Sequence, residues 1–235
     1  IECNQLIKVE DTKAPVISCS ENYIVFPMDY YSCSGTAVVN GPTNIFDCSS
    51  TTLAVSYKKA GPDGTPEDGD FRTEGVTYLA NGKVRISGLP ADTSWVRYTV
   101  TDACGNSTKC TVEVIIEDNL DPVAVCDEHT VVTLGDSGTA KVFANSFNEG
   151  SFDNCALDSI IVRRVSDNCN VLGSTSFGNS VTFCCEDVNL SPIMVVLRVI
   201  DKSGNYNECM VSVTVQDKIA PKITCPSNKT VGCTT

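Results

Sequence analysis

The stretch that decides the fold is Cys110-Thr111-Val112-Glu113-Val114-Ile115-Ile116-Glu117-Asp118-Asn119-Leu120-Asp121-Pro122, which leads on to Cys126. It joins a β-branched run to an acidic linker, a proline and a second cysteine. The same order of features begins at Cys3 and again at Cys209, with the same spacing between the two cysteines. The chain is therefore built from repeats that share one joint sequence.

The length of the repeat predicts the domain organisation. The joint prolines Pro15, Pro122 and Pro221 lie about 100 residues apart, which fits one β-sandwich domain per repeat. The fold class is predicted to be all-β, with tandem Ig-like β-sandwich domains that are closed by disulfides and joined like beads on a string. The predicted division is the last strand of a preceding repeat over 1–13, Ig-like domains over 14–118 and 119–217, and the first strand of a following repeat over 218–235.

Strand signals support this fold class in both repeats. No segment has a sustained helical period, and Gly and Pro interrupt the chain throughout. The turns at 101–106 and 200–205 match each other, and the Gly-Asn in each suits a hairpin between the last two strands. The first strand of each domain is predicted to open at Val16–Ile17 and at Val123–Val125.

Composition excludes several classes of function. The net charge of −12 excludes general binding to nucleic acid and favours solubility and cation binding. Fourteen cysteines with one histidine indicate an oxidising compartment and not a zinc protein. No run of about 18 apolar residues is present, so no membrane insertion is expected in this segment.

The sandwich geometry predicts two disulfides. In such a domain the first and last strands start at the same pole and run parallel, which brings Cys19 close to Cys110 and Cys126 close to Cys209. The rival pairing of Cys110 with Cys126 spans up to roughly 50 Å if the joint is extended. We therefore favour one bond within each domain.

The other cysteines are assigned less fully. Cys48 and Cys104 are both expected at the N-terminal pole and form a plausible pair. Ser203 replaces Cys104 in the second repeat, so three partners remain open for Cys155, namely Cys169, Cys184 and Cys185. Cys33 has no evident partner, and Cys3, Cys225 and Cys233 are expected to pair outside this segment.

The acidic joints are candidate calcium sites. Two loops of each domain are expected to point back at the joint before it, and carboxylate and amide oxygens suit Ca²⁺. The alternative, which stays open, is that the Asp and Asn residues are ordinary turn formers and that the Glu and Asp residues keep the linker hydrated. The candidate ligands are Glu10, Asp11, Asp47, Asp102, Asn106, Glu117, Asp118, Asp153, Asn154, Asp201 and Asn205.

Two features could bind a partner. The polar insertion Gly61–Asp70 is predicted to be a long surface loop, and the Tyr23–Tyr31 segment carries an aromatic patch of Tyr23, Phe26, Tyr30 and Tyr31 for which core packing is favoured. Trp95 is interpreted as a core or edge aromatic in preference to a sugar platform. The single His129 is interpreted as an exposed strand residue, so no catalytic triad can be assembled and no enzyme is expected.

The joint phrases resemble those of HYR and related Ig-like modules in large cell-surface proteins of Bacteroidetes. The matching residues are Ala14–Cys19, Asp102–Asn106 with Cys110, and Ala220–Pro226. The second domain also resembles repeats in adhesin-like proteins of the Saprospira group, through Phe152–Cys155, Phe183–Asp187 and Asn207–Val211. This resemblance implies export, by the type IX route, and display at the cell surface or in an extracellular fibre.

The predicted function is that of a disulfide-stabilised stalk, a structural and adhesive segment of a secreted cell-surface adhesin or extracellular filament. Its expected partners are neighbouring repeats of the same protein and other copies in a filament. The alternative is a module that binds carbohydrate or protein through the Gly61–Asp70 loop or the Tyr23–Tyr31 patch. Calcium is the only cofactor that the residues indicate.

Overall fold

The computed structural model describes residues 3, 5–19, 23–60, 71–169, 175–229 and 231. The chain forms two compact units, Ile1–Leu120 and Asp121–Thr235. Both are built from β-strands, as the sequence predicts. Among the described residues, no helix is long and apolar enough to cross a membrane.

The described residues of the first unit form nine strands and one short 3₁₀ turn at Ala80–Gly82. The strands are β1 Val16–Ser18, β2 Tyr23–Pro27, β3 Ser34–Asn40, β4 Thr43–Phe46, β5 Thr51–Lys59, β6 Val76–Tyr78, β7 Lys83–Pro90, β8 Asp92–Asp102 and β9 Ser107–Glu117.

Two main sheets make up the first unit. One has the order β2-β9-β8-β5 and the other the order β3-β7-β6, while β1 pairs only with β4. Strand β2 runs parallel to β9, with Tyr23 opposite Glu113, and the other pairs of these sheets are antiparallel. The prediction that the opening and closing strands run parallel is thus confirmed, although it is β2 and not β1 that pairs with β9.

The core of the first unit follows from strand alternation. On β9 the buried residues are Val112, Val114 and Ile116, at every second position, as expected for a sheet with one face inward. Each fully buried side chain of this kind contributes about 1.5–3 kcal/mol through removal of apolar surface from water. Gly35 lies close to this layer, because a Cβ there would come within 2.7 Å of Ile116 Cγ2.

In the second unit, the part of the chain that the structure describes has six strands, a 3₁₀ turn at Ala144–Phe147 and a one-turn helix, α1, at Cys185–Val188. The strands are β10 His129–Thr133, β11 Thr139–Phe143, β12 Leu157–Arg164, β13 Ser180–Cys184, β14 Ile193–Asp201 and β15 Tyr206–Gln216. They form a sheet of order β10-β15-β14-β12 and a second sheet of β11 and β13.

The opening strand of the second unit differs from the prediction. Val123 makes only an isolated bridge to Phe152, and the strand that runs parallel to β15 is β10, with His129 opposite Ser212. The expectation that the first strand covers Val123–Val125 is therefore wrong. The physical reason is that the Val125 N–H donates to the Ser151 hydroxyl oxygen, while the Val125 carbonyl accepts the Ser151 hydroxyl and the Glu149 N–H. The segment therefore follows a loop and not a strand.

Candidate functional site

Disulfides close the two units. Of the described cysteines, six form three pairs, and Cys33 and Cys155 are disulfide-bonded as well. Cys19 is bonded to Cys110 with a Cα–Cα distance of 6.2 Å, and Cys126 to Cys209 with 6.3 Å, which are the pairings that the sandwich geometry predicts. Cys169 is bonded to Cys184, with a Cα–Cα distance of 5.8 Å. Cys19–Cys110 in the first unit and Cys126–Cys209 in the second each join the segment before the parallel opening strand to the closing strand.

Two of the predicted pairings are wrong. Cys48 and Cys104 are exposed free thiols, because the loops that carry them are held by hydrogen bonds in place of a covalent bond. Cys155 is disulfide-bonded, but its predicted partners are excluded: Cys169 and Cys184 bond to each other and Cys185 is a free thiol.

Asp102 organises the turn between β8 and β9. Its Oδ1 accepts the N–H groups of Cys104 and Asn106, both at 2.8 Å, and its Oδ2 accepts the Asn106 side-chain amide at 2.8 Å. Burial opposes the ionisation of Asp102, but the hydrogen bonds from Asn106, together with those from the backbone of Cys104 and Gly105, outweigh that cost and hold the pKa of this carboxyl below its ordinary value. Asp102 therefore stays ionised, and its oxygens are occupied by donors within the turn.

The joint segment docks against this turn. The Asn106 amide donates to the Asp11 carbonyl at 3.1 Å, and the Thr108 hydroxyl donates to the Pro15 carbonyl at 2.6 Å. The first acidic joint thus lies against the β8–β9 turn, as the sequence predicts from the sandwich geometry.

The loop before β5 approaches the same joint. The Asp47 carboxylate accepts the Ser49 N–H at 2.8 Å and the Ser49 hydroxyl at 2.9 Å, and the Ser49 oxygen in turn accepts the Ala103 N–H at 3.2 Å. The Cys48 thiol donates to Asp11 Oδ2 at 3.0 Å. Three segments that are distant in sequence therefore meet at one pole of the first unit.

Asp11, Asp47 and Cys48 form the most compact group of potential metal ligands at this pole. One ligand atom of each lies within 4.8 Å of the others. The hydrogen bond to Asp11, with the charges of Asp11 and Asp47, raises the pKa of the Cys48 thiol above its ordinary value. The thiol therefore remains a proton donor at neutral pH, and the group offers two carboxylates and a neutral sulfur.

The second unit repeats the same turn. Asp201 accepts the N–H groups of Ser203 and Asn205 at 2.8 and 2.9 Å and the Asn205 side-chain amide at 2.8 Å. Asp153 accepts the Cys155 N–H at 2.8 Å, as Asp47 accepts that of Ser49. A carboxylate oxygen of Asp153 lies within 4.8 Å of one of Asp201. Asn154 therefore has the place in the loop of the second unit that Cys48 has in the first.

The remaining candidate ligands are Glu10 in the first joint and Glu117 and Asp118 at and after the end of β9. Glu10 is exposed and forms an ion pair with Lys8. Glu117 is the exposed last residue of β9, and Asp118, just beyond it, accepts the Leu120 N–H at 3.2 Å.

The candidate binding residues are placed as follows. Trp95 is half-buried within β8, and His129 begins β10, where its Nε2 lies 2.8 Å from the Thr214 hydroxyl. Tyr30 and Tyr31 are 75% and 99% exposed, so core packing is wrong for these two because they lie in the turn between β2 and β3, outside the sandwich. Phe26 is half-buried in β2. The Gly61–Asp70 loop and Cys233 lie outside the described residues.

Sequence reasoning missed a buried ion pair in the second unit. Arg164 and Asp187 have no exposed surface, and they form two hydrogen bonds, of 2.9 and 2.6 Å. Arg164 also donates to the Thr182 and Ser166 carbonyls, and Asp187 accepts the Cys184 N–H. The alternation of β12 was the available signal, because Arg164 shares its face with buried Val162.

No family model matches this sequence, and no curated protein matches it. Solved structures do match. The N-terminal four Ig domains of Dscam1 match with a TM-score of 0.48 and 12% identity over 87% of this chain and 46% of that one. The IG1+IG2 fragment of DIP-gamma matches with a TM-score of 0.45 and 13% identity, over 86% of this chain and 98% of that one. The EC1-2 fragment of human mucin-like protocadherin matches with a TM-score of 0.45 and 11% identity, over 87% of this chain and 100% of that one. The chain spans less than half of the Dscam1 fragment.

These likenesses concern the fold alone, since all three identities are low. The strand order, the parallel pairing of opening and closing strands and the disulfides define the class of protein: a tandem of Ig-like β-sandwiches closed by disulfide bonds.

Proposed function

We propose that this segment is a structural and adhesive spacer of a secreted cell-surface adhesin or extracellular filament, in which disulfides carry pulling force past the folded cores. The observation that supports it is the position of the Cys19–Cys110 bond. This bond connects the segment that follows the joint with the closing strand of the same unit. Cys126–Cys209 makes the same connection in the second unit.

The covalent path explains what these bonds do under load. Force that enters at residue 14 reaches Cys19, crosses to Cys110 and leaves along β9, so the chain between the two cysteines, which have a sequence separation of 91, is bypassed. In the second unit the bypassed separation is 83. Unfolding of a bridged unit therefore releases almost no length, whereas an unbridged first unit would lengthen by about 300 Å at roughly 3.3–3.6 Å per residue. Pulling single molecules before and after reduction tests this proposal.

Location and partners follow from the same features. Dense disulfides persist in oxidising surroundings outside the cytosol, which supports an extracellular or cell-surface location. The repeats favour neighbouring repeats of the same protein as partners, with other copies in a filament. The resemblance to exported Bacteroidetes modules supports delivery by the type IX route.

We further propose that Ca²⁺ binds at the acidic joints and stiffens them. At the first joint the support is the convergence of Asp11 and Asp47 within 4.8 Å, held by Ser49 and Asn106. Ca²⁺ takes 6–8 oxygen ligands in flexible geometry, so backbone carbonyls and water would complete its shell. At the second joint the sequence offers Glu117, Asp118 and Asn154, with an amide where the first joint has a thiol.

Calcium is expected to raise the melting temperature, because a ligand that binds only the folded state stabilises it by about 2.7 kcal/mol at 100 times its Kd. Asp11→Asn with Asp47→Asn should abolish the increase. Without calcium this variant should be at least as stable as the wild type, since two like charges are removed. Asp136→Asn, at an exposed position in the second unit, is the control. Equal melting temperatures in calcium and in EDTA would exclude metal binding.

A binding role is the second candidate. The observation that favours it is the exposure of Tyr30 and Tyr31, side by side in the turn after β2, because exposed aromatic residues are enriched in interfaces. This patch would act alongside the spacer role, with a protein or a surface glycan as its ligand.

A further inference from the structure

A basic cleft lies in the first unit, in a chain that is otherwise strongly acidic. Its volume is about 390 Å³, and its lining residues are Tyr57, Lys58, Lys59, Arg72, Gly88 and Pro90. Three of these six residues carry a positive charge, whereas the whole chain has a net charge of −12. Such a local reversal of sign would attract anions to one place on the surface.

The fold builds this cleft from three segments. Lys58 and Lys59 end the edge strand β5, and Gly88 and Pro90 end β7 of the opposite sheet. Arg72 is fixed beside β5 by two backbone hydrogen bonds with Tyr57, of 2.9 and 2.8 Å. The cations are therefore carried by ordered backbone and not by loop tips, which lowers the entropy lost when a ligand binds.

Two of the cations are available to a ligand. Among the residues that the structure describes, neither Lys59 nor Arg72 forms an ion pair, and both are exposed. Arg72 can present its planar donor fork to a carboxylate or a sulfate, and Lys59 adds a mobile ammonium group.

Tyr57 is an independent indication of a ligand. Tyr57 as a whole is only 7% exposed, yet its hydroxyl makes no hydrogen bond to any described part of the chain. The two other tyrosine hydroxyls of this sandwich that can be compared are engaged, since Tyr78 accepts the Val55 N–H and Tyr98 donates to the Asn40 carbonyl. The Tyr57 hydroxyl is not one of the buried polar atoms that lack a partner, so it reaches the surface of the cleft, where a ligand can bond to it.

We propose that this cleft binds the anionic group of an acidic saccharide, a carboxylate or sulfate held by Arg72 and Lys59, with Tyr57 bonding to the sugar. The cleft is concave and small, which fits a sugar unit better than a protein surface, since stable protein interfaces bury about 1,200–2,000 Å². This site goes beyond the proposed spacer, which needs no ligand, so either can fail without the other.

The test is isothermal titration calorimetry of the oxidised chain with four probes. They are a sulfated heparin oligosaccharide, an oligogalacturonate, neutral maltohexaose and an oligoglutamate peptide. The variant Lys59→Gln/Arg72→Gln removes the two available cations. The control Lys83→Gln/Lys109→Gln removes the same charge from β7 and β9, at positions that do not line the cleft.

At least one anionic saccharide is expected to bind, and the cleft variant should weaken binding by about tenfold or more, as expected for lost charge-assisted hydrogen bonds. The control should retain the affinity to within about threefold at matched salt. Tyr57→Phe should weaken binding without unfolding the unit. Absence of binding by both anionic saccharides, or an equal loss in the control, would overturn the proposal. Binding of oligoglutamate alone would assign the cleft to an acidic protein partner instead.

Discussion

Replacing both Cys19 and Cys110 by alanine is expected to lower the free energy of unfolding of the first unit by about 4–5 kcal/mol. The bond closes a loop with a sequence separation of 91, and the loss of loop-closure entropy in the unfolded chain grows with loop length. A loss of this size is a large fraction of the 5–15 kcal/mol that stabilises typical domains.

The chain offers a specific probe for this measurement. Trp95 is its single tryptophan and lies half-buried in β8, so tryptophan fluorescence in a urea titration reports on the first unit. Cys126→Ala/Cys209→Ala removes the corresponding bond of the second unit and should leave the Trp95 transition in place. Cys104→Ala, at an exposed free thiol, should cost less than about 0.5 kcal/mol. A Trp95 transition that is unchanged in Cys19→Ala/Cys110→Ala would show that this bond does not stabilise the unit.

The substitution Asp187→Leu is expected to destabilise the second unit by about 3–5 kcal/mol, because it leaves the Arg164 guanidinium buried without its counter-charge. The cost comes from the uncompensated charge and not from the loss of a favourable pair. For that reason the double variant Arg164→Met/Asp187→Leu should recover at least about 2 kcal/mol, as apolar replacements of buried pairs often do.

Hydrogen exchange followed by mass spectrometry measures this effect in the second unit, through peptides from β14. The Trp95 transition of the first unit serves as an internal reference. Glu186→Gln, at the exposed neighbouring residue, should change stability by less than about 0.5 kcal/mol. Equal protection in Asp187→Leu and the wild type would contradict a buried ion pair at this site.

Much of the fold could be predicted because the chain contains two repeats whose sequences can be compared with each other. The joint phrase recurs at Pro15 and Pro122, and the matching turns at Asp102 and Asp201 place the last two strands of each domain. The parallel opening and closing strands followed from the sandwich geometry, and so did the pairing of Cys19 with Cys110. These features depend on short-range patterns and on simple topology.

The failures concern contacts that no local pattern specifies. Cys48 and Cys104 share a pole, but the polar bonds of Asp11 with Cys48 and of Ser49 with Ala103 hold the loops there without a disulfide. The segment from Val123 to Val125 has the composition of a strand, yet the Val125 N–H donates to the Ser151 hydroxyl oxygen, and the pairing ends after the bridge at Val123. Side-chain hydrogen bonds of this kind compete with sheet formation and are not encoded in strand propensity.

The candidate sites show the same limit. The meeting of Asp11 with the loop of Asp47 was predictable from topology, and the role of Asp102 as an acceptor within its own turn is the turn-forming alternative that the sequence left open. The buried Arg164 required knowledge of a partner 23 positions away. The basic cleft joins the ends of strands from two sheets, which only the three-dimensional structure brings together.

Force spectroscopy on single chains, pulled from the two ends, tests directly whether the disulfides carry the pulling force. In the oxidised protein we expect no extension step near 300 Å, because the force passes through Cys19–Cys110 and Cys126–Cys209 and bypasses both cores. After reduction, two such steps should appear, one for each unit. Steps of about 300 Å in the oxidised wild-type chain would contradict a spacer whose disulfides carry the force.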